Sequence, residues 1–199
     1  GLRVTDEKTI KVVEDALSEL NSEIIEKLIN CGCKVQAITV KKNNIIEVVP
    51  EKKDLGFVGN PKKIKKEILL EIINKKEVPV IVPMGIGENK NTYNINADIT
   101  AGAIAKSLSS RRLLLMTDVE GVLDKNKKLI SEINSEIALK MLNNGTISGG
   151  MIPKINTCLN AVKNGVTGVV IVDGRKPHSI LFELFSDKGA GTLIRRWKI

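Results

Sequence analysis

Apolar residues recur every three or four positions near the start of the chain, at Ile10, Val13, Leu17, Leu20, Ile24 and Leu28. That spacing predicts an amphipathic helix over residues 5–30. Thr5 suits its N-cap, Asp6 and Glu7 favour its positive end, and Gly32 supplies a stop. Asn21-Ser22 marks a point where the helix can divide in two. Residues 34–40 read as a strand, 41–44 as a turn and 45–49 as a second strand, which together predict a hairpin. Pro61 then opens a predicted helix to about residue 74, with Ile64, Ile68, Leu69 and Ile72 on one face.

From there strands and helices alternate. Buried strands are predicted at 78–82, 113–116 and 168–172, with a short extended piece at Val122-Leu123 and a last strand at 192–194. Helices are predicted at 96–108, 135–142, 152–164 and 179–185. Apolar strands alternating with helices imply a largely parallel open sheet covered on both faces. The expected fold is therefore α/β, a three-layer αβα sandwich. No internal repeat or low-complexity linker interrupts it, so residues 1–199 read as a single domain.

Composition narrows the class. The chain has 199 residues, 42% of them apolar and 27% charged, which excludes disordered and collagen-like chains. No apolar run approaches the ~18 residues of a membrane helix. The longest, 78–86, is broken by Pro79, Pro83 and Gly85, and no membrane association is expected. The start lacks a basic-then-apolar leader, and Cys31, Cys33 and Cys158 form no Cys-x-x-Cys pattern. A reducing cytoplasm is the expected location. The net charge is +8, but the lysines come in scattered pairs and aromatics make up only 3%. Without a stacking platform, nucleic acid is not an expected partner. A basic surface does attract anionic small molecules.

In such folds ligands collect beyond the C-terminal ends of strands, at helix N-termini. Four loops are predicted there: 83–87, 93–98, 117–121 and the Gly-rich turn 146–154. The last brings bare N–H groups and a helix dipole together, an arrangement that favours an anion such as phosphate. Lys154, one turn inside that helix, adds a full positive charge. Asp98, at another helix start, offers a carboxylate able to hold a lysine or a hydrated metal. Together these suit phosphoryl transfer, where positioning and charge stabilisation dominate. There is no G-x-x-x-x-G-K-[ST] loop, no complete G-x-G-x-x-G and no Gly-x-Ser-x-Gly. The single histidine, His178, reads as a helix-start or surface residue, and Cys158 as core.

The residues also form an ordered set of known segments. These are Gly1-Leu-Arg-Val-Thr-Asp6, Asp54-Leu-Gly-Phe-Val-Gly59, Tyr93-Asn-Ile-Asn-Ala-Asp98, Thr117-Asp-Val-Glu-Gly-Val-Leu-Asp124, Ser148-Gly-Gly-Met-Ile-Pro-Lys154 and Gly189-Ala-Gly-Thr-Leu193. On them the chain resembles the acetylglutamate kinases, a branch of the amino acid kinase family with a carbamate kinase-like fold. The resemblance implies ATP-dependent, Mg²⁺-assisted phosphorylation of the side-chain carboxylate of N-acetyl-L-glutamate, a step of L-arginine biosynthesis. It implies that Arg3 and Asn94 hold the acetylglutamate. Lys154 would stabilise the transferring phosphoryl group, and Asp98 would organise the catalytic lysines. Asp118, Val119, Glu120, Gly121, Val122 and Leu123, with Thr146, Ile147 and Ser148, resemble the nucleotide-binding segments. Glu183 and Gly189 resemble the site of the arginine-inhibited branch. No residue is assigned to a metal.

By the same likeness, residues up to about 90 belong to the substrate-binding half and those from about 91 to 199 to the nucleotide-binding half. The family's Lys-x-Gly-Gly strand-loop and its Gly-Gly-Gly loop are not among these residues. The resemblance therefore implies an N-terminal part of about two βα units, ~30 residues each, beyond them. Implied partners are N-acetyl-L-glutamate, ATP, L-arginine as feedback inhibitor, further copies in a dimer or a hexamer of dimers, and the nitrogen-regulatory PII protein. Two alternatives stand beside this: a non-catalytic arginine- or nucleotide-binding or assembly module, and a related kinase acting on aminoadipate, aspartate or glutamate. The Asn-Ile-Asn-Ala-Asp spelling favours acetylglutamate.

Overall fold

Helix α1 (Glu7–Asn30) spans the predicted range, but only part of its predicted stripe is covered: Ile10 is buried and Val13, Leu17 and Leu28 are half-buried, whereas Leu20 and Ile24 are exposed. Asp6, not Thr5, is the N-cap; its Oδ1 accepts the Thr9 N–H at 2.7 Å. Thr5 instead bridges to the segment around Gly56, where its N–H donates to the Leu55 carbonyl at 2.9 Å. The helix does not divide at Asn21. That side chain lies on the buried face, 4% exposed, and its amide donates to the Val80 carbonyl at 2.9 Å. A buried polar group so bonded holds the helix to its neighbour instead of breaking it. The computed structural model describes residues 4–51 and 54–196, in two compact units, 1–100 and 101–199.

In the first unit the expected hairpin is replaced by two separate sheets. Strand β1 (Val35–Ile38) pairs in parallel with β4 (Val78–Ile81), Val35 opposite Val78. Strand β2 (Ile46–Pro50) pairs antiparallel with β3 (Gly59–Ile64) and parallel with β5 (Met84–Gly87). The turn after β1 closes on itself, through the Thr39 N–H to the Lys42 carbonyl at 2.9 Å and the Lys42 N–H to the Thr39 hydroxyl at 3.0 Å. β2 gains two partners this way, where a hairpin supplies one. Pro61 lies within β3 instead of opening a helix. β3 is an edge strand of the order β3-β2-β5-β6, a position that tolerates a residue without an N–H. Helix α2 (Lys66–Asn74) begins only afterwards and buries Leu69 and Ile72.

Residues 84–87, expected as part of a ligand loop, are strand. β5 pairs antiparallel with β6 (Thr92–Asn94). A Cβ on Gly85 would lie 2.5 Å from the Ile46 carbonyl oxygen and 2.6 Å from a Val48 methyl, so glycine there lets two strands approach closely. Helix α3 (Ala97–Ser107) then carries the chain into the second unit.

The second unit holds β7 (Arg112–Thr117), β8 (Glu132–Asn134), β9 (Gly168–Asp173) and β10 (Gly191–Arg195) in the order β7-β9-β10-β8. β7/β9 and β8/β10 are parallel, and β9/β10 is antiparallel. Helices α4 (Ser135–Asn143), α5 (Met151–Lys163) and α6 (Ser179–Phe185) match the predicted ones within a residue. Val169 and Ile171 of β9 meet Ile155, Cys158 and Val162 of α5 in the core. Val170 and Val172, on the opposite face, are equally buried, so this strand is covered on both sides. Each such Val or Ile contributes roughly 1.5–3 kcal/mol relative to exposure. Three-residue β8 has no counterpart among the expected elements, because a single inward residue, Ile133, carries no alternation. The architecture is α/β with mixed, largely parallel sheets, as the strand–helix alternation implied.

Candidate active site

In the second unit the strands β7 and β9 run side by side and end together, Thr117 opposite Asp173. The predicted nucleotide segment leaves from that edge. Asp118, Val119, Glu120 and Leu123 are exposed, whereas Gly121 and Val122 are buried. Thr192 of β10 secures the buried part. Its hydroxyl accepts the Val122 N–H at 2.8 Å and donates to the Ile130 carbonyl at 2.6 Å. Gly121 sits at φ +142, where a Cβ would meet that same hydroxyl at 2.6 Å.

The turn after β9 meets the start of the segment. Gly174 N–H donates to the Thr117 carbonyl at 2.8 Å, and Lys176 Nζ donates to Glu120 Oε1 at 2.6 Å. Asp173 is 2% exposed and accepts from Arg175 three times, from the backbone N–H at 3.0 Å, Nε at 3.0 Å and Nη2 at 2.9 Å. The Arg175 side chain and backbone bonds draw the Asp173 pKa down to about 2. The Arg175 pKa is raised, first by its bond to Asp173 and then by attraction to that carboxylate, to Asp118 and to Glu120.

The Gly-rich turn forms the second part of this unit's candidate site. Asn144 Oδ1 holds Thr146 through the backbone N–H at 3.0 Å and the hydroxyl at 2.7 Å. Ile147 anchors the turn in the core, and Ser148 is exposed. Around Gly149 and Gly150 nothing lies within 4 Å of the position a Cβ would take, so the backbone before α5 is open to a ligand. Lys154 follows in the first turn of α5 and is half-buried.

In the first unit Asn94 ends β6 and is half-buried, its N–H donating to the Phe57 carbonyl at 2.9 Å. Asn96 Oδ1 accepts the Ile99 N–H at 3.1 Å, a capping contact that sets the start of α3. Asp98 lies in that first turn, half-buried. Arg3 lies outside the described residues. Glu183 and Gly189 are brought together: Glu183 Oε2 accepts the Ala190 N–H at 3.0 Å. His178 is exposed at the start of α6, and Cys158 is fully buried in the core. Sequence reading passed over Asp173, Arg175, Lys176 and Thr192. Of these, only the charged run at 173–176 after a buried strand offered any signal, since the partner of Thr192 lies 70 positions away.

Residues 2–173 match the amino acid kinase family. The acetylglutamate kinase of Pelagibacter ubique is 60% identical over 195 residues, covering 98% of this chain and 68% of that protein. A crystal structure from Streptococcus mutans superposes with a TM-score of 0.83 at 31% identity, covering 98% of this chain and 75% of that one. An N-acetylglutamate synthase from Neisseria gonorrhoeae, complexed with coenzyme A and L-arginine, reaches a TM-score of 0.88. At 22% identity, over 99% of this chain and 48% of that one, it bears on the fold alone.

Proposed function

The chain belongs to the amino acid kinase family, and from that premise we propose that it transfers the γ-phosphoryl group of ATP to the side-chain carboxylate of N-acetyl-L-glutamate, a step of L-arginine biosynthesis. One observation carries this reading: the 60% identity to an acetylglutamate kinase over nearly the whole chain. A non-catalytic binding module is not favoured, because the relatives matched over 98% of the chain are kinases.

A carboxylate oxygen attacks the γ-phosphorus, the bond to the β–γ bridging oxygen breaks, and ADP leaves. Both reactants are anionic, so charge must be neutralised where it concentrates. Lys154 and the uncrowded Gly149-Gly150 backbone before α5 are the cationic and dipolar groups proposed for the transferring phosphoryl group. Asp98 is the proposed organiser of the catalytic lysines. Arg3 and Asn94 are the proposed acetylglutamate contacts, with Asp118 to Leu123 and Thr146 to Ser148 on the nucleotide. Residues up to about 90 are then proposed as the substrate-binding half and those from about 91 as the nucleotide-binding half, Asn94 being the acceptor contact in the latter. Among the described residues no three His, Cys, Asp or Glu side chains form a metal-holding group. Mg²⁺, which the resemblance implies, would supply charge neutralisation at the phosphates of a bound nucleotide.

Arginine as an inhibitor acting at Glu183 and Gly189, assembly into dimers or hexamers, a PII partner and a cytoplasmic location belong to the same proposal. Among the described residues no helix is long and apolar enough to cross a membrane. The test is ADP release that depends on N-acetylglutamate, with the acyl phosphate trapped by hydroxylamine as its hydroxamate. Turnover with aspartate, glutamate or aminoadipate in place of acetylglutamate would shift the acceptor. No acceptor-dependent turnover by the full-length protein, with the Lys-x-Gly-Gly and Gly-Gly-Gly loops in place, would overturn the reading.

A further inference from the structure

We infer that the turn Asp173-Gly174-Arg175-Lys176 is a positioning element for the nucleotide segment, with Lys176 acting through Glu120. The inference rests on the nucleotide-binding reading of residues 118–123.

The exposed start of that segment needs a fixed shape if it is to receive a nucleotide, yet residues 118–120 contribute no buried side chain. Order is supplied from outside it. At the far end Thr192 holds Val122, and at the near end two contacts reach across from the turn after β9. One is backbone to backbone, Gly174 to Thr117 at 2.8 Å. The other is the ion pair between Lys176 and Glu120, at 2.6 Å.

The turn is itself held by a stronger device. The Asp173 side chain is 3% exposed, while that of Arg175 is 65% exposed. A carboxylate buried at a strand end is costly unless its oxygens are bonded, and the Arg175 fork meets both of them. That closes the turn and sets the direction in which Lys176 leaves it. The Lys176–Glu120 pair, by contrast, is half exposed at both ends, 51% and 51%. Such a pair adds little to global stability. Its consequence is local: it selects one arrangement of the segment from those an exposed loop would otherwise sample, and so lowers the ordering cost of binding a nucleotide.

The experiment measures ATP binding by calorimetry, together with the KM for ATP and for N-acetylglutamate, in Lys176→Gln, Lys176→Arg, Glu120→Gln and the Lys176→Gln/Glu120→Gln pair. Lys176→Gln should weaken ATP by roughly threefold to fivefold, the upper range of a half-exposed pair. It should leave the KM for acetylglutamate and the melting temperature unchanged. Lys176→Arg, which keeps the pair, should retain ATP affinity within about twofold. In the Glu120→Gln background the Lys176→Gln change should have no further effect, because the group it acts through is gone. A Lys176→Gln penalty that persists there means direct contact with the nucleotide and overturns the inference. So does unchanged ATP affinity, or an equal shift for both substrates. Full-length wild-type protein that binds ATP without turnover sinks the kinase reading and leaves this inference to be decided by the binding data; full-length protein that binds no ATP overturns both.

Discussion

Glu183 Oε2 accepts the Ala190 N–H at 3.0 Å, joining helix α6 to the loop that leads into β10. The carboxylate lies so close to Gly189 that a Cβ there would sit 2.8 Å from the same oxygen. The residue proposed to hold an arginine guanidinium thus already has a structural duty. The two roles separate by substitution. Glu183→Gln keeps an acceptor oxygen but removes the charge, so melting should change little. Arginine inhibition should weaken by roughly tenfold or more, the loss of a charge-assisted contact of about 1.5–3 kcal/mol. Glu183→Ala should lower both. Titration of arginine against activity, with parallel thermal melts, checks this; unaltered inhibition in Glu183→Gln removes the regulatory role.

Lys154→Ala should reduce kcat by roughly 10²–10³, the usual cost of deleting one electrostatic group at a phosphoryl or acyl centre. The KM values should move far less, because the interaction grows as charge develops. Steady-state kinetics with both substrates varied decides it. A nearly silent variant would return Lys154 to the status of a helix lysine.

Arg3→Lys should raise the KM for acetylglutamate and leave the KM for ATP near its starting value, since an ammonium does not reproduce the bidentate fork. Asn94→Ala should act on the same substrate. Equal effects on both substrates would point to general loss of structure.

Asn21→Leu should destabilise the protein by about 1–3 kcal/mol. It leaves the Val80 carbonyl without its donor under a helix face that is 4% exposed at this position. Urea unfolding measures it, and kcat should not change. A variant as stable as the parent would mean that apolar packing replaces the bond in full.

Asp173 carries a pH signature. Its folded pKa is lowered from 3.8 to about 2 by Arg175, so its contribution to stability is fully present above 3.8 and disappears as the pH falls through about 2. The melting difference between the parent and Asp173→Asn should be constant near neutrality and shrink across that acid window. A difference that stays constant down to pH ~2 would contradict the lowered value.

The elements easiest to foresee were those whose information is local. The stripe Ile10, Leu17 and Leu28 defines α1, and the Gly-Gly turn marks the start of α5, because capping and periodicity act within a few residues. The errors came from reading neighbours in sequence as neighbours in space. The two strands around residue 40 read as a hairpin, yet each pairs elsewhere, β1 with β4 and β2 with β3 and β5. Pro61 resembled a helix start because the edge position that makes it acceptable in a strand is not visible in one dimension.

The candidate site divides the same way. The strand–helix alternation, the Gly-rich turn with Lys154 behind it, and the family-bearing segments at 93–98 and 117–124 are legible in the sequence alone. Only the tertiary structure decided that Thr192 holds Val122 from 70 positions away, and that Lys176 reaches Glu120 across 56. It also decided that Asp173 is buried and paired rather than one more surface acid. Local pattern records which face of an element is apolar. The pairing of strands, and with it which polar groups meet at their ends, is set by burying those faces together.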